Sequence, residues 1–381
     1  MAKNEKLSRR VFVKRLSAGA AVTASLLHPA FPALAESKKS TTAFHLRTLG
    51  RTGMQYTPLG FGSMRTSDPA VIRKAIDMGV NNIDTARVYM DGQNEIIVGQ
   101  AIKGVRNSIF LTTKIKLHTK KKMLKDAEKS LKALGTDHVD TLLLHSMKQP
   151  SDIENQDALE VLQQLKKQGK IRFAGFSTHR NMAANIRASL KNKFFDVILV
   201  AYNFKSDHDL GNAIKEAAAA NIGVIAMKTQ AGGYKDDRMK SLNPHQAALK
   251  WVLSNENITA AIPSMITFEQ LEENFAAVSN KMGWLDRKTL DRYSQVIDNQ
   301  LCRLCSACEG QCPHGVSVSD VNRCTMYADA YEDYELALTN YNDLAASEKI
   351  TSCIDCNQCV VHCAHGLDLT AKMKRAVVLF A

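Results

Sequence analysis

Eight repeats of one pattern predict an α/β chain built as a (β/α)8 (TIM) barrel. Between residues 47 and 278 a short apolar run, a turn and an amphipathic stretch follow one another eight times. After residue 290 the pattern stops, and two matching cysteine runs lie among helical stretches. These predict a small, mainly helical C-terminal domain. The chain has 381 residues, 45% of them hydrophobic, and only 8 prolines, which is ample for one large barrel and one small domain.

The first stretch is not part of either. Ser8-Arg9-Arg10-Val11-Phe12-Val13-Lys14 has the form of a twin-arginine export signal. A weakly hydrophobic segment, 16–27, and the small residues Ala33-Leu34-Ala35 complete it. That segment is too short and too rich in Ala, Gly, Ser and Thr to form a stable membrane span. We expect a signal peptide over 1–35, passage through the twin-arginine translocase, and a periplasmic mature protein beginning near Glu36. The expected barrel then covers 44–290 and the C-terminal domain 291–381.

Candidate barrel strands are 57–62, 82–84, 109–113, 139–144, 171–176, 197–201, 224–227 and 260–262. Candidate helices between them include 123–134, 159–167, 212–220 and 245–253. Strand alternating with helix implies parallel strands and right-handed crossovers. Gly60-Phe61-Gly62 hints at a dinucleotide fingerprint, but Arg65 occupies the third glycine position, so the Rossmann reading fails.

In such barrels chemistry sits at the C-terminal ends of the strands. Asp84 ends the second strand and Tyr89 lies just beyond it, Lys114 ends the third, and His145 ends the fourth. Singly these are a cap, a loop tyrosine, a surface lysine and a core histidine. Together on three neighbouring strand ends they predict a site.

Around these four residues the chain resembles the aldo/keto reductase family across essentially the whole barrel. The resemblance rests on Asn82-Ile83-Asp84-Thr85-Ala86 with Tyr89, on Leu111-Thr112-Thr113-Lys114, and on Leu134-Gly135-Thr136-Asp137 running on to Leu144-His145. Gly175-Phe176-Ser177, Ala201-Tyr202-Asn203 and Glu272-Glu273-Asn274 add to it. The resemblance implies a catalytic tetrad of Asp84, Tyr89, Lys114 and His145, and cofactor contacts from Ser177, Tyr202 and Asn274. Tyr89 would deliver a proton to a carbonyl oxygen, with Lys114 beside it lowering the phenol's pKa. Asp84 would hold Lys114 in place and keep it charged, and His145 would orient the carbonyl. Run backwards, the same groups oxidise an alcohol.

The cofactor side departs from the family. Leu199 stands where the family has a glutamine for the nicotinamide carboxamide, and Met227 where it has a stacking aromatic residue. Ser264 and Gln270 replace the lysine and arginine that grip the ribose phosphate. Without those cations, NAD(P)H binding loses charge-assisted hydrogen bonds. Lys228 and Gly232-Gly233 are new features of this rim: they line a different pocket, or Lys228 is simply solvated.

The cysteine runs are Cys302, Cys305, Cys308 and Cys312, followed by Pro313, and Cys353, Cys356, Cys359 and Cys363, followed by Ala364. Bacterial ferredoxins hold cubane clusters at this spacing, the fourth cysteine of each run reaching the other cluster. We therefore expect two [4Fe–4S] clusters, one on Cys302, Cys305, Cys308 and Cys363, the other on Cys353, Cys356, Cys359 and Cys312. Zinc would leave the fourth cysteine of each run without a role, and disulfides fit such tight turns poorly. Cys324 belongs to neither run and reads as a small buried residue. Residues 284–300 read as a helical connector and 326–346 as helix between the runs, so the domain is a two-cluster ferredoxin-like one of the helical type. A barrel joined to such a module, behind a twin-arginine signal, resembles a branch of the same family.

Charge excludes little. Of the net charge of +12, +5 comes from the first fifteen residues, leaving +7 without any polybasic tract interleaved with aromatics, so nucleic-acid binding is not expected. The basic run Lys120-Lys121-Lys122 opens an amphipathic helix as a solvated face. The partners expected are a small carbonyl or alcohol substrate and an electron-carrier protein. The leading expectation is a periplasmic oxidoreductase with the tetrad for chemistry and the clusters for electrons. The alternatives are an NADPH-dependent carbonyl reductase with structural clusters, and a non-enzymatic electron-transfer or binding protein.

Overall fold

The computed structural model describes residues 44–239, 242–356 and 358–381. The expected signal peptide over 1–35 lies outside them. A two-stranded antiparallel hairpin, β1 (Arg47–Thr48) and β2 (Gln55–Tyr56), precedes the main sheet. That sheet has eight parallel strands in chain order: β3 (Phe61–Gly62), β4 (Asn82–Asp84), β5 (Phe110–Ile115), β6 (Val139–Leu144), β7 (Ile171–Thr178), β8 (Val197–Ala201), β9 (Gly223–Met227) and β10 (Ala260–Ala261). The helices between them are α1 (Pro69–Asp77), α2 (Gln93–Ile102), α3 (Lys120–Leu134), α4 (Pro150–Ile153), α5 (Gln156–Lys167), α6 (Met182–Asn192), α7 (His208–Ala219) and α8 (Pro244–Leu253). After β10 come α9 (Phe268–Val278) and α10 (Trp284–Ile297), then α11 (Val318–Asp329), α12 (Tyr334–Asn342) and α13 (Leu369–Phe380).

The sheet curls until its edges meet. Parallel bridges join Leu59 to Ala261 and Gly62 to Ser264, and Gly60 and Gly62 donate to the carbonyls of Ala261 and Pro263 at 2.9 and 3.1 Å. Gly62 is needed at this seam: a Cβ there would lie 2.6 Å from the Ile262 carbonyl oxygen. The expected strand over 57–62 is shorter as a paired element, because Pro58 has no N–H to give a ladder.

Helix starts follow local chemistry. Asp68 accepts from the Ala70 amide at 2.8 Å with Pro69 in the first turn of α1, and Asn155 accepts from the Ala158 amide at 2.9 Å at the start of α5. Apolar faces of the helices pack on the sheet to make the main core. Inside the barrel, Leu143, Val197, Leu199 and Ile225 form a floor against Leu49, Met54 and Tyr56 of the hairpin region. Leu199 is therefore a floor residue, 1% exposed.

The C-terminal segment has its own small core, with Val316, Val318, Val321, Cys324, Leu367, Leu369 and Met373 among its residues. A second cluster, including Tyr234, Tyr293, Ile297, Met326, Tyr327 and Ala337, joins it to the barrel, and barrel and segment form one compact unit. The helix expected over 326–346 is instead two helices. The chain breaks at Glu332 (φ 55°), and Asp333 restarts it by accepting from the Leu336 amide at 3.0 Å. Among the described residues no helix is long and apolar enough to cross a membrane.

Candidate active site

Three strand ends and one turn bring the tetrad together. Asp84 is the last residue of β4 and Lys114 lies near the end of β5, both nearly buried at 6% and 1% exposure. The Lys114 ammonium forms a close ion pair with Asp84, donates to the Thr85 carbonyl at 2.7 Å and lies 3.3 Å from the Tyr89 hydroxyl. It also lies over the Tyr89 ring, 4.9 Å from its centroid. His145, the residue after β6, meets the Tyr89 ring edge-on at 5.6 Å.

Tyr89 is fixed by an unusual turn. Met90 (φ 49°) and Asp91 (φ 51°) both adopt left-handed backbone, which is strained for residues other than glycine. Gly92 (φ 90°) follows, and a Cβ there would run into the Arg87 guanidinium. Arg87 in turn pairs with buried Glu95 at 2.6 Å. The turn is thus packed from below by an ion pair rather than left to solvent.

The electrostatics correct one expectation. Lys114 does not pull the Tyr89 pKa down, because Asp84 already neutralises it. Removal from water, then the Asp84 charge and nearby Tyr327, hold the Tyr89 phenol well above 10.0. Burial likewise pushes Asp84 up and Lys114 down, and their mutual attraction opposes both shifts. His145 is held well below 6.5 by burial and by the positive charges of Lys114, Lys116 and Arg323 among its neighbours, and its Nδ1 is buried without a hydrogen-bond partner among the described residues. Tyr89 is accordingly a protonated donor and His145 a neutral imidazole.

A cavity of about 350 Å³ opens beside the tetrad. Asp84 and Tyr89 form one wall; Lys228, Thr229 and Gln230 after β9 form another; Ser264, Gln270 and Asn274 face them. Of the residues expected to touch a cofactor, Asn274 lines this cavity and accepts from Gln230 at 3.1 Å. Tyr202 packs against Trp251 and its hydroxyl accepts from Asn255 at 3.1 Å, away from the cavity lining. Ser177 is buried and accepts from the Ser146 amide at 2.9 Å. Two polar atoms of the lining, Thr229 Oγ1 and His245 Nε2, are buried with no partner among the described residues. They are the hydrogen-bonding groups a polar ligand there would satisfy.

The C-terminal segment covers the mouth. Cations on five rim loops hold it: Arg65 on Asp333 at 3.3 Å, Lys116 on Asp343 at 2.9 Å, Lys148 on Glu348 at 2.8 Å, Arg180 on Glu309 at 2.7 Å and Asp320 at 3.1 Å, and Lys228 on the Tyr327 hydroxyl at 2.8 Å. Lys228 thus lines the cavity, as Gly232 and Gly233 do, and is bound to the C-terminal segment rather than simply solvated. Sequence reasoning missed Arg323 and Tyr327. Their signal was the spacing Asp320, Arg323, Tyr327, three polar residues on one side of a helix whose other positions include Val318, Val321 and Cys324.

The cysteines group across the two runs. Burial and the neighbouring thiols of Cys308, Cys305 and Cys363 push the Cys302 thiol up to about 12. Burial and the thiols of Cys312, Cys356 and Cys359 push that of Cys353 up to about 11. Each group offers four sulfurs, the number a cubane takes. Asp207 and His365 pair at 3.2 Å beside Cys305. Cys324 is 0% exposed in the small core, as a packing residue would be.

Comparison with known proteins gives one consistent result. Residues 58–246 match the profile of the Aldo/keto reductase family. The chain is 36% identical over 246 residues to a methylglyoxal reductase, DkgB, of Salmonella typhi, spanning 59% of this chain and 88% of that protein. It is 26% identical over 247 residues to the Escherichia coli methylglyoxal reductase YeaE, spanning 60% of this chain and 85% of that one. Among solved structures, an aldo/keto reductase from Klebsiella pneumoniae in complex with NADP and acetate superimposes with a TM-score of 0.56 at 25% identity, covering 66% of this chain and 95% of that one.

Proposed function

The chain belongs to the aldo/keto reductase family and is an oxidoreductase of the carbonyl-reducing kind; from that premise we propose that it is exported to the periplasm with two [4Fe–4S] clusters and reduces a small carbonyl compound, or oxidises the matching alcohol, at the tetrad. The observation that carries the chemistry is the Tyr89 hydroxyl 3.3 Å from a lysine whose charge Asp84 already balances, at the edge of a cavity. A protonated phenol so placed donates to a carbonyl oxygen as negative charge gathers there. Neutral His145 hydrogen-bonds the same oxygen and orients the C=O. Lys114 and Asp84 hold the phenol in position and give the phenolate left behind a cation to face.

Support for the clusters comes from the eight thiols falling into two groups of four that mix the runs. Cys302, Cys305, Cys308 and Cys363 would hold one, and Cys353, Cys356, Cys359 and Cys312 the other. Such clusters supply single electrons. The domain boundary at residues 290 and 291, the signal over 1–35 and an electron-carrier partner belong to the same reading. Twin-arginine export of an already folded chain would carry thiols past an oxidising compartment with their metal in place.

A second reading is favoured by the unpartnered atoms of Thr229 and His245: a nicotinamide nucleotide bound beside Asn274, supplying hydride. Ser264 and Gln270 give its phosphates no cation, and the cations that do line the cavity, Arg65, Lys228 and Lys235, are bound respectively to Asp333, Tyr327 and Glu332 of the C-terminal segment. Small α-dicarbonyls, the compounds named for the Salmonella and Escherichia relatives, are the first substrates to try.

Anaerobically purified protein, followed by absorbance and EPR while NADPH is added, tests the proposal. Bleaching of the cluster absorption, or reduction of a dicarbonyl by dithionite-reduced protein alone, is the expected result. Protein without iron, or a dicarbonyl turned over by NADPH with no change in the clusters, overturns the role of the clusters.

A further inference from the structure

The cover does more than sit over the mouth. Where α11 ends and α12 begins, it closes one side of the cavity. Ala330, Tyr331 and Glu332 line the same cavity as Tyr89. They lie in the break between the two helices, where Glu332 is left-handed, so the cover meets the cavity with a turn rather than a helix face.

Tyr331 is the bulkiest of the three, and it has little freedom. Its backbone carbonyl accepts from Arg65 at 2.8 Å, and the Arg65 guanidinium lies 4.8 Å from its ring centroid. The ring also packs at 5.4 Å, tilted by 35°, on that of Tyr327. Tyr327 is itself 2% exposed and is held by Lys228 at 2.8 Å. Arg65 pairs in addition with Asp333, the residue that restarts the chain as α12. A ring held by a cation, a second ring and a backbone hydrogen bond does not swing aside as a free loop side chain would.

The other side of the cavity is no softer. Gln230 and Asn274, both in the lining, are hydrogen-bonded to each other at 3.1 Å. The space enclosed is about 350 Å³, at the lower end of the range for ligand sites. Width is therefore set by groups that hold their places. Changing the size of Tyr331 alters the room beside the tetrad and leaves the Tyr89 hydroxyl and Lys114 as they are.

We propose that Tyr331 determines which carbonyl compounds the site accepts: it is a wall supplied by the C-terminal segment that admits slim, short-chain oxo compounds and turns away those with a ring next to the C=O. The inference rests on the reading of Tyr89 as proton donor to a carbonyl. Tyr331 acts in it on size alone and moves no proton. The cover thereby takes part in choosing the substrate as well as in shielding it.

The test compares initial-rate kcat/KM for 2,3-butanedione and 1-phenyl-1,2-propanedione, which differ only in a methyl or a phenyl group on one carbonyl. It uses the full, anaerobically purified protein with NADPH or dithionite as reductant. Intrinsic reactivity is the same in every variant, so only the change in the ratio is read. Tyr331→Ala should move the ratio by about tenfold or more toward the phenyl compound, and Tyr331→Trp should move it the other way. Tyr331→Phe, which keeps the ring and loses only the hydroxyl, should leave it within about twofold. A cover merely loosened by substitution would change both compounds together and leave the ratio alone. If Tyr331→Ala does not fold, the Trp and Phe variants decide. A ratio that stays put in the Ala and Trp variants, or moves the same way in both, overturns the inference and leaves the carbonyl site standing. Wild-type protein that reduces neither compound overturns both.

Discussion

At Tyr89 the lysine beside the hydroxyl does less to the phenol's acidity than the aspartate behind the lysine. Asp84 cancels the Lys114 charge and leaves desolvation in control, so the phenol keeps its proton. Tyr89→Phe removes the proton but not the shape of the site. We expect turnover to fall by about 10²- to 10⁴-fold with the cluster spectra unchanged. A rate within a few-fold of wild type would show that the proton comes from elsewhere. The pH dependence follows from two directions. His145, depressed by burial and by Lys114, His179, Lys116 and Arg323, is neutral at and above pH 6.5, and Tyr89, raised, is protonated at and below pH 10.0. The kcat/KM for carbonyl reduction should therefore be flat between those values, where an unshifted pair would bend at both ends. That Asp84, Tyr89, Lys114 and His145 lie together was legible in the sequence because each sits at, near or shortly after the end of a strand whose pattern is plain. The sign of the Tyr89 shift was not, since it depends on how deeply the group is buried and on a helix some 240 residues further along.

The element that most changes the picture is α11. It supplies Asp320 to Arg180 and Tyr327 to Lys228, so one helix anchors the cover to two rim loops. Arg180→Met would leave buried Asp320 and half-buried Glu309 with fewer positive partners, and about 2 kcal/mol of stability should be lost. That is less than for a buried charge left wholly unpaired, because Arg323 stays on Asp320. A thermal melt shows it directly, because the loss is larger than an exposed ion pair would give. The cysteine loops either side of α11 allow a sharper test. On the proposed cluster assignment, Cys363→Ser should perturb the EPR signal of a cluster on Cys302, Cys305 and Cys308, and spare one on its own sequence neighbours Cys353, Cys356 and Cys359. The opposite pattern would mean that each run serves itself. All but the first of the barrel strands were readable to within a residue or two because period and turn chemistry are local, as in β4, β6 and β8. The break between α11 and α12 was not: Ala, Tyr, Leu and Glu continue through it, and the left-handed Glu332 is fixed by the packing of Tyr331 under Arg65 rather than by its own preference.

Across the whole molecule, two hydrophobic cores meet through a third that neither half could bury alone. The export reading makes a prediction at this scale. Replacing Arg9 and Arg10 by Lys should leave iron-loaded protein in the cytoplasm, detectable by fractionation and absorbance. Undiminished periplasmic accumulation would end that reading. The order of barrel then cysteine module was visible in the sequence, because each half has its own pattern. That the module sits over the mouth was invisible, since it is written in scattered pairs such as Arg65 with Asp333 and Lys148 with Glu348, far apart along the chain. Those pairs are spread round the rim rather than gathered on one side, and a cover fastened on all sides has no hinge. What enters must fit the cavity left beside the cover, lined by Lys228, Gln230, Gln270 and Glu273 among others, so selection among metabolites becomes a matter of girth before any question of fit at Tyr89.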